Sequence, residues 1–329
     1  MDFDQLFTQF SSIKAGVIGD VMLDTYWWGH VERISPEAPV PVVALDKREV
    51  RIGGAGNVAL NLVSLGAKTS IFSVIGEDET GKELDRMLAG SGIDTSYLIC
   101  NPARKTTDKM RVISRNQQMM RLDSETTEDL STAAEDALIG RVREYILREK
   151  PAIIIFEDYN KGVLTARVIS ELLALCSENN IITSVDPKRK NFFAYRHATI
   201  FKPNLKEVKD GLNLLVEDIN LPALTNIHRL LKEQLQHHIS LITLSEKGVF
   251  YQEKENGEII PTHIRNIADV SGAGDTVIAV ASLVYAASKD IGTMAAIANI
   301  AGGLVCEEVG TVAINKARLL QECKLLMNG

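Results

Sequence analysis

Eight residues, Asp269-Val-Ser-Gly-Ala-Gly-Asp-Thr276, place two glycines, two carboxylates and two hydroxyls directly ahead of an apolar run over 277–285. A helix starting at Ser271 or Gly272 puts Gly272, Ala273 and Gly274 in its first turn, where backbone N–H groups lack intrahelical partners. Small side chains there let an anion approach, and the helix dipole favours negative charge at that end. A bound phosphate repels a carboxylate beside such a nest, so Asp275 suits another task. It can accept the proton of a hydroxyl that attacks the phosphate. A glycine-rich turn with Asp275 as a first-turn dipole partner fits the same residues, and the rest of the chain has to separate the two.

Other stretches offer complementary chemistry. Asn204-Leu205-Lys206-Glu207 follows a short strand, and residues three apart at a helix start can face one site. Asn204 and Glu207 suit a water-mediated hold on Mg²⁺ beside nucleotide phosphates, since Mg²⁺ keeps most of its hydration shell. They also suit a capping box, and both can hold together. Thr243-Leu-Ser245-Glu-Lys-Gly248 is a strand end that can line a nucleotide or simply turn. The strand over 15–19 closes on Asp20, with Asp24 shortly after. In open α/β sheets ligands bind beyond the carboxyl ends of strands, which makes both aspartates candidates for polar substrate groups, against turn and cap roles. Gly53-Gly54-Ala-Gly-Asn57 allows close backbone approach, but lacks the Gly-Lys-Ser/Thr tail of a Walker loop and the Gly-x-Gly-x-x-Gly spacing. Lys109, Arg111, Arg115 and Arg121 cluster within 106–123 of a chain whose formal net charge is −7. Such a cluster points to a phosphorylated or carboxylated ligand, or to a solvated strand face.

The elements that must position these residues follow from periodicity. Strands are expected over 15–19, 68–75, 152–156, 181–185, 199–202 and 240–244. Helices are expected over 58–65 with a Gly66 stop, 132–150, 165–179 with Thr165 as N-cap, 221–236, and from about Gly272 and Ile291. Strand–helix alternation implies a parallel sheet with right-handed crossovers. Residues 24–50, marked by Trp27, Trp28 and three prolines, and the hairpin over 105–123 read as an appended lid whose apolar surface suits a partner copy. With no repeat or low-complexity linker, one domain over 1–329 is expected. The four cysteines form no Cys-x-x-Cys pair, which suits free thiols in a reducing compartment. The acidic balance argues against nucleic acid. No signal peptide or membrane-length apolar run is present, so a cytoplasmic protein without membrane contacts is expected.

Three motifs in order carry a resemblance. Gly53-Gly-Ala-Gly-Asn-Val-Ala-Leu-Asn-Leu62, with Ile75-Gly-Glu-Asp-Glu-Thr-Gly81, resembles the first signature of the ribokinase-like (PfkB) sugar kinases. Asn204-Leu-Lys-Glu207 resembles their Asn-x-x-Glu motif, and Asp269 to Asp275 their second signature. Gly19-Asp-Val-Met-Leu-Asp-Thr-Tyr26, Arg33-Ile-Ser-Pro-Glu-Ala-Pro-Val-Pro-Val42, Ser114-Arg-Asn-Gln-Gln118 and Arg121-Leu-Asp123 are similar to the D-glycero-β-D-manno-heptose 7-phosphate kinases. The resemblance implies a ribokinase-like three-layer α/β sandwich with a mainly parallel central sheet and a small β lid.

It also implies phosphorylation at O1 to the 1,7-bisphosphate, in making the ADP-heptose precursor of the lipopolysaccharide core, with ATP and Mg²⁺ and, as a family option, a monovalent cation. Asp275 would be the base, and Gly272, Ala273 and Gly274 the anion hole. Asn204, Leu205, Lys206 and Glu207, with Thr243, Ser245 and Gly248, would meet ATP, Glu207 holding the metal through water. Asp20, Asp24, Gly53, Gly54 and Asn57 would bind sugar hydroxyls, and Arg111, Arg115, Lys161 and Lys188 the 7-phosphate. Such kinases pair through their lids, so a homodimer is expected. The rival expectations are another sugar or sugar-phosphate kinase of this fold and a catalytically silent sugar- or nucleotide-binding regulator. Glu157-Asp-Tyr-Asn-Lys-Gly162 departs from the family loop, which starts with Ser, and Asp186-Pro-Lys-Arg189 replaces a glycine. Val309-Gly-Thr-Val-Ala-Ile-Asn315 also drifts from the family form. Many relatives continue into an adenylyltransferase domain with a His-x-Gly-His motif, which is not found up to Gly329, so the kinase half alone is expected.

Overall fold

Successive strand residues point to opposite faces of a sheet, and strands apolar on both faces belong between two layers of helices. The computed structural model describes residues 2–115, 117–215, 218–263 and 265–327; Asn116, within the 114–118 match, lies outside them. In chain order the first half comprises α1 (Phe3–Gln9), β1 (Lys14–Gly19), β2 (Val21–Ile34), β3 (Pro41–Gly54), α2 (Ala55–Leu65), β4 (Lys68–Phe72), β5 (Val74–Gly76), α3 (Glu79–Gly90), β6 (Ile99–Asn101), β7 (Thr107–Ser114), β8 (Gln117–Ser124) and α4 (Thr132–Glu149). The second half adds β9 (Ile153–Glu157), α5 (Ala166–Glu178), β10 (Ile182–Asp186), β11 (Ile200–Phe201), α6 (Leu205–Leu212), α7 (Leu221–Leu235), β12 (Ile239–Thr243), β13 (Val249–Glu253), β14 (Asn256–Ile260), α8 (Ala273–Ser288), α9 (Ile291–Val305) and α10 (Lys316–Met327).

The main sheet runs β14-β13-β12-β11-β10-β9-β1-β4, parallel from β12 to β4 with two antiparallel strands at one edge. Its two faces feed separate cores. Val17, Ile153 and Ile155 pack with α2, α8 and α9, whereas Ile18, Ile154 and Phe156 pack with α4, α5 and α7. This is the expected three-layer sandwich. Helix α8 is buried without interruption from Asp275 to Val284. A helix apolar on every side belongs inside, and each fully buried Val, Leu or Ile contributes about 1.5–3 kcal/mol. Its first turn, which carries Asp275, is thereby held immobile.

The lid is a second sheet of order β3-β2-β7-β8. It starts at the main sheet itself, at Val21, rather than at residue 24. The expected strand over 68–75 divides in two: β4 stays in the main sheet, while β5 pairs with β6. Between them the Ser73 hydroxyl donates to the Gly19 carbonyl at 2.6 Å, turning that residue out of the ladder. Helix α2 begins three residues before the expected start, because Gly54 takes φ 59° and turns the chain directly off β3. Gly66, at φ 103°, ends α2 as expected, and Thr165 caps α5 through the Val168 N–H.

Candidate active site

Strand register assembles the site. Gly19 pairs with Glu157, and Glu157 with Asp186, so β1, β9 and β10 reach the same edge together and deliver Asp20, Glu157 and Asp186 side by side. The N-terminus of α8 closes on this edge. Glu157, Asp186 and Asp275 each direct a carboxylate oxygen to a common point, all within 4.8 Å of one another. Asp275 Oδ2 accepts from Asn57 Nδ2 at 2.8 Å, and its Oδ1 from the Tyr159 hydroxyl at 2.8 Å. Burial pushes the Asp275 carboxyl up to about 6; the bonds from Asn57 and Tyr159 restrain that rise and the negative charge of Asp186 adds to it.

Asp186 behaves oppositely. Burial works against its charge, but Lys188, at 3.5 Å, and Lys202, at 2.8 Å, hold it below the usual carboxylate range. Glu157 is fully buried, neither of its carboxylate oxygens has a hydrogen-bond partner, and burial with its two acidic neighbours drives it well above that range.

The first turn of α8 is an open donor site. Gly272 takes φ 77° and offers no side-chain cap, and a Cβ there would stand 2.9 Å from Asn57 Nδ2. The Ala273 N–H turns back to the Val270 carbonyl at 3.3 Å. Among the described hydrogen bonds the N–H groups of Gly272, Gly274 and Asp275 have no acceptor. The open set therefore differs by one residue from the expected Gly272, Ala273 and Gly274. A Cβ on Gly274 would lie 3.7 Å from Lys202 Nζ, so the Lys202–Asp186 pair sits beside this turn.

A family model described as pfkB family carbohydrate kinase matches residues 13–318. The chain belongs to this family. The bifunctional protein HldE of Geobacter metallireducens is 39% identical over 318 residues, covering 96% of this chain and 64% of that protein, so the chain spans just under two thirds of its relative's length. Among solved structures, phosphofructokinase-2 from Escherichia coli in complex with potassium superposes with a TM-score of 0.80 at 16% identity, covering 96% of this chain and 100% of that one. Arabidopsis thaliana ribokinase, complexed with ribose and ATP, gives a TM-score of 0.73 at 15% identity, with 94% and 99% covered. At such identities these likenesses establish the fold, and they agree with the sandwich and lid of a pfkB kinase.

Several residues expected to touch ligands have other duties in this pfkB kinase. Asp20 does not present its carboxylate to a sugar; it is buried and accepts the backbone N–H groups of Tyr159, Lys161 and Val163 at 2.9, 3.1 and 3.1 Å. It thus anchors the loop that carries Tyr159. Asn57 orients Asp275 rather than facing outward, and Asn61 in turn donates to the Asn57 carbonyl at 2.9 Å. Gly54 meets a backbone need, since a Cβ would fall 2.3 Å from the Asp20 carbonyl. Gly53 clears Asp24, whose Oδ2 would be 2.3 Å from such a Cβ. Asp24 holds Arg111 at 2.6 Å. Lys161 pairs with Glu125 at 2.6 Å, and Lys188 with Glu207 at 2.8 Å. Arg115 sits exposed at φ 48° in the β7–β8 turn, eight residues from Thr107 and beyond the last β2–β7 pair, Gly29–Ser114, at the end of the lid away from the Met22–Thr107 pair.

Of the residues expected to meet ATP, Asn204 caps α6 in a complete capping box with Glu207 and bridges to Thr243. Leu205 packs on the core below and Lys206 is exposed. Ser245 opens a short turn that Gly248 closes at φ 94°, where a Cβ would collide with the Ile260 carbonyl. Tyr159, Lys202, Asp186 and Glu157 had no assigned role from sequence. Three of them end or follow apolar strands, the same signal that drew attention to Asp20.

Proposed function

We propose that the protein transfers the γ-phosphoryl group of ATP to O1 of D-glycero-β-D-manno-heptose 7-phosphate, giving the 1,7-bisphosphate on the route to ADP-heptose. The reading rests on Asp275, an immobile carboxylate pushed up to about 6, beside the unpartnered N–H groups of α8. The choice of sugar rests on the matches at 19–26, 33–42, 114–118 and 121–123 and on the 39% identity to the bifunctional protein HldE.

At neutral pH Asp275 is ionised, yet basic enough to take the proton from O1 as it attacks. The N–H groups of Gly272, Gly274 and Asp275 receive the negative oxygens of the transferred group, and Lys202 adds positive charge beside them. Asn204 and Thr243 form the nucleotide side, with Asp24 on the sugar side. Mg²⁺, when bound, neutralises charge on the phosphoryl oxygens. Glu157 and Asp186 fit it, because hard oxygen ligands suit Mg²⁺ and both Glu157 oxygens lack a partner. Glu207, whose oxygens accept from Lys188 and the Asn204 N–H, would act through water.

No helix among the described residues is long and apolar enough to cross a membrane, which accords with a kinase acting in the cytoplasm. Residues 1–329 act as one kinase unit, pairing with a second copy through the lid. The lid's exposed Ile34, Val40, Leu45, Met119, Met120 and Leu122 support that pairing.

Asp275→Asn tests the reading. Turnover falls about 10²–10⁴-fold while calorimetric ATP affinity holds; near-normal turnover would refute the role of Asp275. ADP release with heptose 7-phosphate set against fructose 6-phosphate tests the sugar, and faster turnover of fructose 6-phosphate would replace it.

A further inference from the structure

The lid brings five charged side chains into neighbouring positions. Cross-strand partners share a face, and Asp24, Lys109 and Asp123 are successive partners across β2, β7 and β8, with Arg111 and Arg121 opposite each other two residues along. Four of these charges are matched. Asp24 binds Arg111 at 2.6 Å, and Asp123 takes both of its bonds from Arg121, at 2.9 and 3.0 Å. Lys109 is the remainder: among the described residues its ammonium makes neither an ion pair nor a hydrogen bond.

This ammonium lies over a ring that reaches Asp275. Lys109 Nζ lies 5.1 Å from the centre of the Tyr159 ring, whose hydroxyl donates to Asp275 at 2.8 Å. Lys188 lies 5.3 Å from the centre of the same ring, but it is engaged by Glu207 and Asp186. Burial is the main influence against the Lys109 charge; Asp24, Glu125 and Asp123 favour it from beyond ion-pair distance, and Lys161, itself engaged by Glu125, opposes it. A half-buried cation with no counter-ion is costly, and a ligand that supplies the missing anion removes the cost.

We propose that Lys109 is the seat for the phosphomonoester that the sugar substrate already carries, the ligand anion supplying the direct counter-charge that this lysine lacks on the lid face. This rests on the sugar-phosphate kinase reading above and assigns to its distal phosphate a residue outside the basic candidates Arg111, Arg115, Lys161 and Lys188. The phosphate seat then lies over the ring of the tyrosine whose hydroxyl holds Asp275, so one side chain touches both.

The test is steady-state kinetics of wild type, Lys109→Met and Lys109→Arg with heptose 7-phosphate and with the same heptose lacking its phosphate. One charge-assisted hydrogen bond corresponds to about 10- to 100-fold in affinity. In Lys109→Met, KM for the sugar phosphate rises by about that factor, KM for ATP is unchanged, and the dephosphorylated sugar is used as poorly as by wild type. Lys109→Arg retains most of the affinity, which separates charge from folding. Equal loss with both sugars would put Lys109 at the transferred phosphoryl group and overturn the proposal, as would an unchanged KM. If wild type turns over fructose 6-phosphate and not the heptose, the choice of sugar fails while the same comparison with fructose 6-phosphate and fructose still decides Lys109. If wild type turns over neither, calorimetry of fructose 6-phosphate with wild type and Lys109→Met decides it: weaker binding by the variant supports the seat and equal binding overturns it.

Discussion

Tyr159→Phe separates what tunes Asp275 from what merely surrounds it. The substitution keeps the ring against Lys109 and Lys188 and deletes only the hydroxyl that donates to Asp275 Oδ1 at 2.8 Å. That bond stabilises the ionised carboxylate, whose pKa burial has already pushed up to about 6. A hydrogen bond to a charged group is worth about 1.5–3 kcal/mol, and one pH unit corresponds to about 1.4 kcal/mol, so its loss moves the acid limb upward by about one to two pH units. In wild type, activity per enzyme rises as Asp275 loses its proton, and about nine tenths of the molecules are ionised at pH 7. In the variant that fraction falls to between about half and a tenth, so kcat/KM at pH 7 drops about 2- to 10-fold and recovers by about pH 9. ADP release measured from pH 5 to 9 gives the profile. A loss of the same size at every pH, or a limb that stays in place, would refute the argument, because either outcome makes the hydroxyl a spacer rather than a stabiliser of the anion.

Glu157→Gln examines the neighbouring carboxyl through stability. Its folded pKa lies well above the usual value, so its contribution is fully present below the unfolded value and is lost as pH rises through the folded one. In chelator, wild type should therefore lose Tm between pH 5 and 8 by a few degrees more than Glu157→Gln; parallel Tm profiles would exclude a protonated Glu157. Met120→Asp places a charge on the exposed apolar lid surface, and if two copies pair there, light scattering should show a dimer for wild type and a monomer for the variant at equal concentration. A wild-type monomer would remove the lid pairing.

What could be read in the sequence is what local rules decide. The α8 start, the capping box of Asn204 and Glu207, the Gly66 stop and the two-faced strands each depend on residues within a few positions of one another. The partners of Asp275 do not: Asn57 is 218 residues away and Tyr159 is 116 away, and only the sheet register with the α2–α8 packing brings them together. The strand-end rule correctly selected the edge on which Asp20 lies. It has no means of telling a carboxylate turned toward substrate from one turned into its own loop, because that depends on where residues 159–163 present their N–H groups. The basic hairpin shows the same limit in electrostatic form. A count of cations marked the hairpin but could not separate paired from unpaired ones: among the described residues Arg111 and Arg121 are neutralised by partners that pairing of β2, β7 and β8 supplies. Asp186 and Glu157 complete the point: adjacent in register, one is held ionised by two lysines and the other, with no partner, is driven toward its neutral form. Glu157 therefore adds a carboxyl that burial and the adjacent carboxylates of Asp186 and Asp275 hold toward its neutral form, within 4.8 Å of the carboxylates that the register and the α8 start bring to the same point.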